Sequence, residues 1–193
     1  MRSEPILTAS QTFTGADLKE KPLTKGEYEA CTFNDCDLSS SDLSEFIFDG
    51  CTFFRCNISL AKLRRTALRD VIFRECKMVG LHFEDCDQIG ISFVFEECML
   101  NNSSFYGMKI KKGIFRKSSL KEADFTDSDI SGSLLEGCDM LNATFSGTNL
   151  EKADLSTSFN YSIDPTSSKI KKAKFSQSGL SGLLDVFGIE IIN

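Results

Sequence analysis

The sequence predicts an all-β solenoid, a fold made of short stacked coils, and two regularities predict it. Large apolar residues recur at every fifth position from Phe13 to Phe83 and again from Phe95 to Leu155. The residue two places before each of them is commonly Ala, Ser or Cys, as in "GADL", "KADL" and "EADF". Neither an α-helix, with about 3.6 residues per turn, nor the two-residue alternation of a strand gives this period.

The five-residue period determines which side chains point inward. Every fifth side chain can do so only if the backbone turns a corner every five residues. The small residue two places earlier also points inward, where space is limited. The other three positions face solvent and are rich in Asp, Glu, Ser, Thr, Lys and Arg. Because one coil cannot bury its own apolar faces, coils must stack through backbone hydrogen bonds at about 4.8 Å per coil.

The small-x-Leu/Phe-x-x pattern resembles the pentapeptide-repeat family, whose loose consensus is A-(D/N)-L-x-x, over roughly residues 13–180. The resemblance implies a right-handed quadrilateral β-helix in which four pentapeptides form one square coil. It implies about eight such coils here, followed by a short C-terminal helix and an extended tail. Positions twenty residues apart should therefore stack on one another.

Stacking at twenty residues sorts the large residues into four columns of similar residues. The first column contains Phe13, Phe33, Phe53, Phe73, Phe95 and Phe115. The second starts at Leu18, the third at Leu23 and the fourth at Tyr28. The period fails at Gln88 and resumes two residues out of phase, and a two-residue insertion there lets every column continue. We therefore predict a single domain over 1–193, with N-terminal coils at 13–87, a bulge at 88–94, C-terminal coils at 95–178 and a tail at 179–193.

The bulge leaves two interpretations open. It is either a tolerated solenoid insertion or a projecting loop that contacts a partner, since insertions in repeat proteins often lie on binding faces. The residues of this possible contact site are Gln88, Ile89, Gly90, Ile91, Ser92 and Phe93. Its apolar members are either core residues or partly exposed.

The eight cysteines first suggest a metal site or a disulfide framework, but each lies two residues before a core position. They are Cys31, Cys36, Cys51, Cys56, Cys76, Cys86, Cys98 and Cys138. That position is the small inward slot, which Ala or Ser fills elsewhere, and a free cysteine is a small apolar residue suited to burial. The N-terminus lacks the apolar core of a secretory signal, so we expect a cytoplasmic protein with reduced thiols.

Composition and motifs argue against several functional classes. The net charge of −6 disfavours direct binding to nucleic-acid phosphates. No apolar run approaches the roughly 20 residues that span a bilayer. The single histidine, His82, has an outward position, and no phosphate loop, zinc spacing or hydrolase elbow is present. We therefore expect no enzyme activity, no metal, no cofactor and no membrane contact.

The segment "SGLSGLLDVFGIEIIN" abandons the repeat and predicts a short amphipathic helix followed by an extended stretch. A solenoid end exposes an apolar cross-section that needs a cap. The tail either caps that end or forms a homodimer interface, which we favour because the tail is more apolar than a cap requires. The interface residues would be Leu180, Leu183, Leu184, Val186, Phe187, Ile189, Ile191 and Ile192.

The chain length and the tail "LLDVFGIEII" also resemble the topoisomerase-protecting branch of the family. That branch includes Qnr-type quinolone-resistance proteins, the mycobacterial protein MfpA and albicidin-immunity proteins. There the tail joins two solenoids end to end into a rod of DNA-like size and charge, which engages DNA gyrase or topoisomerase IV. The resemblance implies a non-enzymatic DNA mimic that counteracts quinolones or a natural gyrase toxin.

The outward charges leave an alternative function open. Outward carboxylates can imitate DNA or can serve only to keep a solenoid soluble. Basic clusters at 64–69, 109–117 and 169–174 make the surface mixed. The alternative is an interaction scaffold with an unknown partner, contacted through the bulge or an end surface.

Overall fold

The computed structural model describes residues 6–15, 18 and 22–192. They form a parallel β-solenoid of about eight coils, which confirms the predicted fold class, a right-handed quadrilateral β-helix. Residues 1–5, 16, 17, 19–21 and 193, which the predicted domain includes, lie outside the described part.

Short strands occupy the first face along the whole solenoid and the fourth face of the N-terminal coils only. In chain order they are β1 (Ile6–Ala9), β2 (Thr12–Thr14), β3 (Gly26–Glu29), β4 (Thr32–Asn34), β5 (Ile47–Asp49), β6 (Thr52–Phe54), β7 (Ala67–Arg69), β8 (Val71–Arg74), β9 (Phe93–Glu96), β10 (Ile114–Arg116), β11 (Leu134–Glu136), β12 (Asp154–Leu155) and β13 (Lys174–Phe175). The first face, in front of the first column, is a nine-stranded parallel sheet of β2, β4, β6 and β8–β13. The fourth face carries a four-stranded parallel sheet, β1-β3-β5-β7. On the second and third faces isolated parallel bridges join the coils, such as Asp37↔Asn57 and Ser104↔Asp124.

The strand register locates the change of phase. Ala67 pairs with Asp87, twenty residues on, whereas Val71 pairs with Phe93, twenty-two residues on. The two extra residues therefore lie between these two pairs. The ladder resumes at once, because the Ser92 N–H donates to the Leu68 carbonyl at 2.9 Å and the Val71 N–H donates to the Ser92 carbonyl at 3.1 Å. The solenoid is thus continuous across the bulge.

Stacked rings fill the core behind the first and third faces. The centroids of successive first-column rings, from Phe13 to Phe115, are 4.5–5.3 Å apart. In the third column the rings from Phe83 to Phe145 stack at 4.7–5.3 Å. The two columns meet edge to face, as at Phe105 and Phe115. Each such aromatic pair contributes about 0.5–1.5 kcal/mol beyond area burial.

The repeat consensus reflects the backbone conformation and the hydrogen bonds at the corners of the coil. In most pentapeptides the residue two places after the core residue has a positive φ, for example 53° at Asp35 and 59° at Leu60, which turns the chain onto the next face. The Asp or Asn just before a core residue accepts a hydrogen bond from the N–H two residues on, as Asp124 does from Thr126 at 2.8 Å. Part of the acidic charge of the chain therefore belongs to the fold itself.

The side chains in the small inward slots contact backbone carbonyls of the preceding coil. Thr148 Oγ1 donates to the Phe125 carbonyl at 2.7 Å, and Cys51 Sγ contacts the Tyr28 carbonyl at 3.1 Å. Cys, Ser and Thr exchange in these slots because each is a small donor that faces a carbonyl. All eight cysteines are free and buried, as their spacing predicts.

We expect the native thiols to be unreactive. Burial raises the pKa of Cys51 to about 11 and that of Cys138 to about 11, from an ordinary value of 9.0. Because all eight cysteines are buried, Ellman's reagent at pH 8 should label none of them in the native protein and all eight in guanidinium. For Cys51 and Cys138 the unfolded thiol ionises at lower pH than the folded one, so the contribution of these two groups to the free energy of unfolding should fall as the pH rises from 9 towards 11. Rapid native labelling of any thiol would contradict this prediction.

Candidate interaction surfaces

The coil geometry sorts the outward residues into surfaces of different charge. Residues twenty positions apart, or twenty-two across the bulge, lie on the same face in successive coils. Neighbouring charges in the sequence can therefore lie on different faces, while charges sixty residues apart can share one.

The first face carries a compensated ladder of ion pairs. Arg74 Nε lies 2.6 Å from a Glu96 carboxylate oxygen, and Arg116 bridges Glu96 at 3.0 Å and Glu136 at 3.3 Å. The hydrogen bond from Arg74, assisted by Arg116, lowers the pKa of Glu96 below its ordinary value. These alternating charges leave this part of the first face nearly neutral.

One side of the solenoid bears carboxylates without cations. This acidic strip lies on the third face between residues 82 and 167 and consists of Glu84, Asp85, Asp124, Asp127 and Asp164. The outward positions between them hold Ser, Thr, Gly, Tyr106 and the exposed His82, but no Lys or Arg. Burial opposes ionisation of Asp124, but hydrogen bonds from Thr126 and Thr144 outweigh it and lower its pKa. The strip is therefore anionic at neutral pH.

The adjoining fourth face is mainly acidic in its N-terminal coils and basic in its C-terminal coils. Its N-terminal coils display Glu27, Glu29, Asp49, Asp70 and Asp87 against the single cation Arg69. Its C-terminal coils display a lysine patch made up of Lys109, Lys111, Lys112, Lys152, Lys169, Lys171 and Lys172, all exposed. Only Asp129 and Glu151 oppose these lysines among the outward residues of the fourth face in these coils.

The bulge lies at the boundary between the two halves of the fourth face. Ile89 is 77% exposed, Gly90 has a φ of 71°, and Ile91 packs partly against the core. Phe93 does not belong to the exposed loop, contrary to its place in the predicted contact site. It lies in β9, is 4% exposed and contacts the rings of Phe83 and Phe95.

Phe93 is buried because it compensates for Gln88. The Gln88 side chain is exposed, although Leu68 and Ile110 hold the corresponding core position in the adjacent coils. The large ring of Phe93 occupies a slot that is small in most other coils and restores apolar volume to this one. The exposed part of the bulge is therefore Gln88, Ile89, Gly90 and Ser92.

The tail both packs on the last coil and presents an apolar surface. The predicted helix takes the form of two 3-10 turns, Leu180–Leu183 and Asp185–Phe187. Gly182 is held so closely that a Cβ there would lie 2.0 Å from the Tyr161 carbonyl oxygen. Leu183 packs against the core, and Leu184 is partly buried. The apolar tail surface comprises Leu180, Val186, Phe187, Ile189, Ile191 and Ile192, which are 46–89% exposed.

The described residues were also compared with the requirements of a metal site and of a membrane-spanning helix. His82 Nδ1 lies 3.0 Å from Glu84 Oε1 on the surface. Among the described residues, no group of three or more His, Cys, Asp or Glu side chains is placed to hold a metal ion. Within 6–15, 18 and 22–192, no helix has the length and apolar character needed to cross a membrane.

Comparison with known proteins identifies the repeat. A model described as "Pentapeptide repeat region" matches residues 27–105, and one described as "Pentapeptide repeats (8 copies)" matches residues 118–156. The chain belongs to the pentapeptide-repeat family. Within this family, a trypsin-treated variant of QnrB1, a plasmid-mediated fluoroquinolone resistance protein, matches with a TM-score of 0.63 at 20% identity. The match covers 98% of this chain and 99% of that one.

A second pentapeptide-repeat structure is HetL, described as involved in the regulation of heterocyst differentiation in the cyanobacterium Nostoc. It matches with a TM-score of 0.43 at 16% identity, over 90% of this chain and 84% of that one. No curated protein matches the sequence. At 20% identity the match to QnrB1 establishes the shared fold and leaves the activity to be argued from the surfaces.

Proposed function

We propose that this pentapeptide-repeat protein is a non-enzymatic DNA mimic. It binds DNA gyrase or topoisomerase IV and protects the enzyme from quinolones or a natural gyrase toxin. The acidic strip supports this proposal most directly, because it presents five carboxylates without a cation along one side of a stiff solenoid. A surface that binds DNA neutralises phosphates with Lys and Arg and will therefore attract such a row of carboxylates.

The strip covers five successive coils, or about 19 Å at about 4.8 Å per coil. Duplex DNA carries one charge per about 1.7 Å of axis, so the strip is more sparsely charged than the molecule it imitates. Its individual carboxylates should therefore matter strongly. The lysine patch would be repelled by a basic DNA-binding surface, so the orientation that fits turns the third face, and not the fourth, towards the enzyme.

The apolar tail surface supports a homodimer. Six large apolar side chains within residues 180–192 are exposed, and exposed apolar patches commonly mark association sites. A two-fold interface would place the same tail residues of both copies against each other. It would join two solenoids at their C-terminal ends into a rod of about twice the length.

A gyrase supercoiling assay tests the proposed function. The protein is titrated into reactions that contain the enzyme with ciprofloxacin, with albicidin or with neither. We expect restored supercoiling in at least one poisoned reaction over a range of protein concentrations, and inhibition of the unpoisoned enzyme at high concentration. No rescue and no inhibition at any concentration would contradict the proposal. It would leave the scaffold hypothesis, in which the exposed Ile89 of the bulge is the natural contact to test.

A matched pair of variants tests the acidic strip itself. Asp127 lies on the strip and Glu122 lies on the second face, and both are exposed corner residues with a φ of 57°. Asp127→Lys and Glu122→Lys change the net charge equally in the same backbone conformation. We expect Asp127→Lys to raise the concentration for half-maximal rescue about tenfold, roughly the effect of 1.4 kcal/mol, with little change for Glu122→Lys. Equal effects would show that only the total charge matters.

A further inference from the structure

We infer that the lysine patch on the fourth face binds the backbone of double-stranded DNA through its phosphates, without reading sequence. This activity is separate from the proposed binding of a topoisomerase and uses a different face. Three observations support it: the missing counter-charges, the layout of the lysines and the chemistry of the residues between them.

The lysine patch departs from the ion pairing seen on the other faces. Elsewhere a cation commonly faces a carboxylate one coil away, as in the pairs Arg55–Asp35, Lys117–Glu97 and Lys174–Asp154. In the patch only Lys111 has such a pair, with Asp129 at 3.4 Å. The other six ammonium groups lie more than 4.0 Å from any carboxylate of the described residues. They repel one another, and an external polyanion would relieve that repulsion.

The lysines form two groups whose spacing suits an extended ligand. Lys109, Lys111 and Lys112 lie in one coil, and Lys169, Lys171 and Lys172 lie three coils further on, with Lys152 in the second of the two coils between them. Three coils correspond to about 15 Å. A duplex of that length carries about nine phosphate charges, so one short segment can engage both groups.

The residues around the lysines favour a nucleic-acid backbone over a protein partner. The other outward residues of the fourth face in these coils are Asp129, Ser131, Gly132, Asn149 and Glu151. None is aromatic or large and apolar, whereas a protein interface needs such residues at its centre. Binding of single strands also relies on aromatic side chains that stack on bases. The lysine patch is therefore suited to a ligand that it contacts through phosphates without stacking on bases, and duplex DNA is such a ligand.

The net charge of the chain conceals this surface. The seven lysines with Asp129 and Glu151 carry +5, so the rest of the chain carries −11 of the total of −6. Binding to the patch depends on the local charge because charges more than about 8 Å away are largely screened at physiological salt. The expectation from composition, that the protein makes no direct contact with nucleic acid, therefore does not extend to the fourth face.

The test is fluorescence anisotropy with the full-length protein and a labelled 20-bp DNA duplex, with no topoisomerase present. We expect measurable binding at 50 mM NaCl. Three to five phosphate contacts should weaken it about 40- to 500-fold at 200 mM NaCl. Because no enzyme is present, failure here and failure of the supercoiling assay are separate results.

Two double variants with the same charge change locate the binding surface. Lys112→Gln with Lys172→Gln removes two lysines of the patch, and we expect the slope of log affinity against log salt to fall by about two. Lys117→Gln with Lys121→Gln removes two lysines on other faces, where each is paired with a carboxylate, and should leave the slope unchanged. Far-ultraviolet circular dichroism checks that both variants are folded.

Three outcomes would overturn the inference. The first is no binding of the duplex at 50 mM NaCl. The second is an equal loss of slope in the two double variants. The third is binding only to vesicles that contain phosphatidylserine, tested in parallel, which would assign the patch to a lipid surface.

Discussion

Replacing Phe105 with alanine should remove about 3–5 kcal/mol from the free energy of unfolding. The ring is fully buried, stacks on Phe83 at 4.7 Å and on Phe125 at 4.8 Å, and meets Phe95 and Phe115 edge to face. Alanine leaves a cavity between coils that rigid backbone ladders on both sides prevent from closing. Since a domain of this kind is stable by only about 5–15 kcal/mol, the loss is a large part of the total.

Urea unfolding followed by circular dichroism measures this loss. The control is Phe159→Ala, which removes the same atoms from a ring that is 48% exposed, and we expect a cost of no more than about 1 kcal/mol. Each coil is stabilised mainly by contacts with the coils next to it. Phe105→Ala weakens these contacts in the middle of the solenoid and should therefore also make unfolding less cooperative. Similar losses in the two variants would contradict the stacked core as the main source of stability.

Replacing Phe187 with glutamate should convert the proposed homodimer into a monomer. Phe187 is 54% exposed in the monomer, and Val186 and Ile189 beside it are exposed to a similar degree. A carboxylate at this position would be buried without a partner in a tail-to-tail interface. Because the interface is two-fold, each of the two copies would contribute one such buried carboxylate. An unpaired buried charge costs about 3–5 kcal/mol, which weakens dimerisation at least about 100-fold.

Light scattering coupled to size-exclusion chromatography gives the mass over a range of concentrations. The control is Leu60→Glu, which places the same charge at an exposed apolar residue on the second face, far along the chain from the tail. We expect a dimer for the wild type and for this control. A wild type that is monomeric at every concentration would contradict the proposed interface and leave Leu183 as part of a cap.

The bulge shows how far sequence periodicity can reach. The phase change at Gln88 predicts a two-residue insertion, and the register of Val71 with Phe93 has that offset. Periodicity does not tell which of the inserted apolar residues is buried, because that depends on the volume left free in one coil. Phe93 is buried because Gln88 is not, and only the packing of Phe83 and Phe95 around it reveals this exchange.

The tail shows the limit of helical patterning. Its apolar residues predict a short helix, but close contact of Gly182 with Tyr161 fixes the path of the chain, and two 3-10 turns result. The hydrogen bonds of the small slots were also not predicted. They depend on carbonyls of the preceding coil, twenty-three residues earlier in most cases, to which the pattern of residue types gives no direct signal.

The sequence by itself determined the solenoid, its four columns, the burial of the cysteines and the family. These follow from a five-residue period that repeats too often to have another physical cause. Only the tertiary structure decided which charges act together. Lys112 and Arg116 are four residues apart, yet Arg116 is neutralised on the first face while Lys112 joins Lys172, sixty residues away, on the fourth. Corners separate neighbours in sequence and stacking joins distant coils, so surface charge is a property of the folded coil.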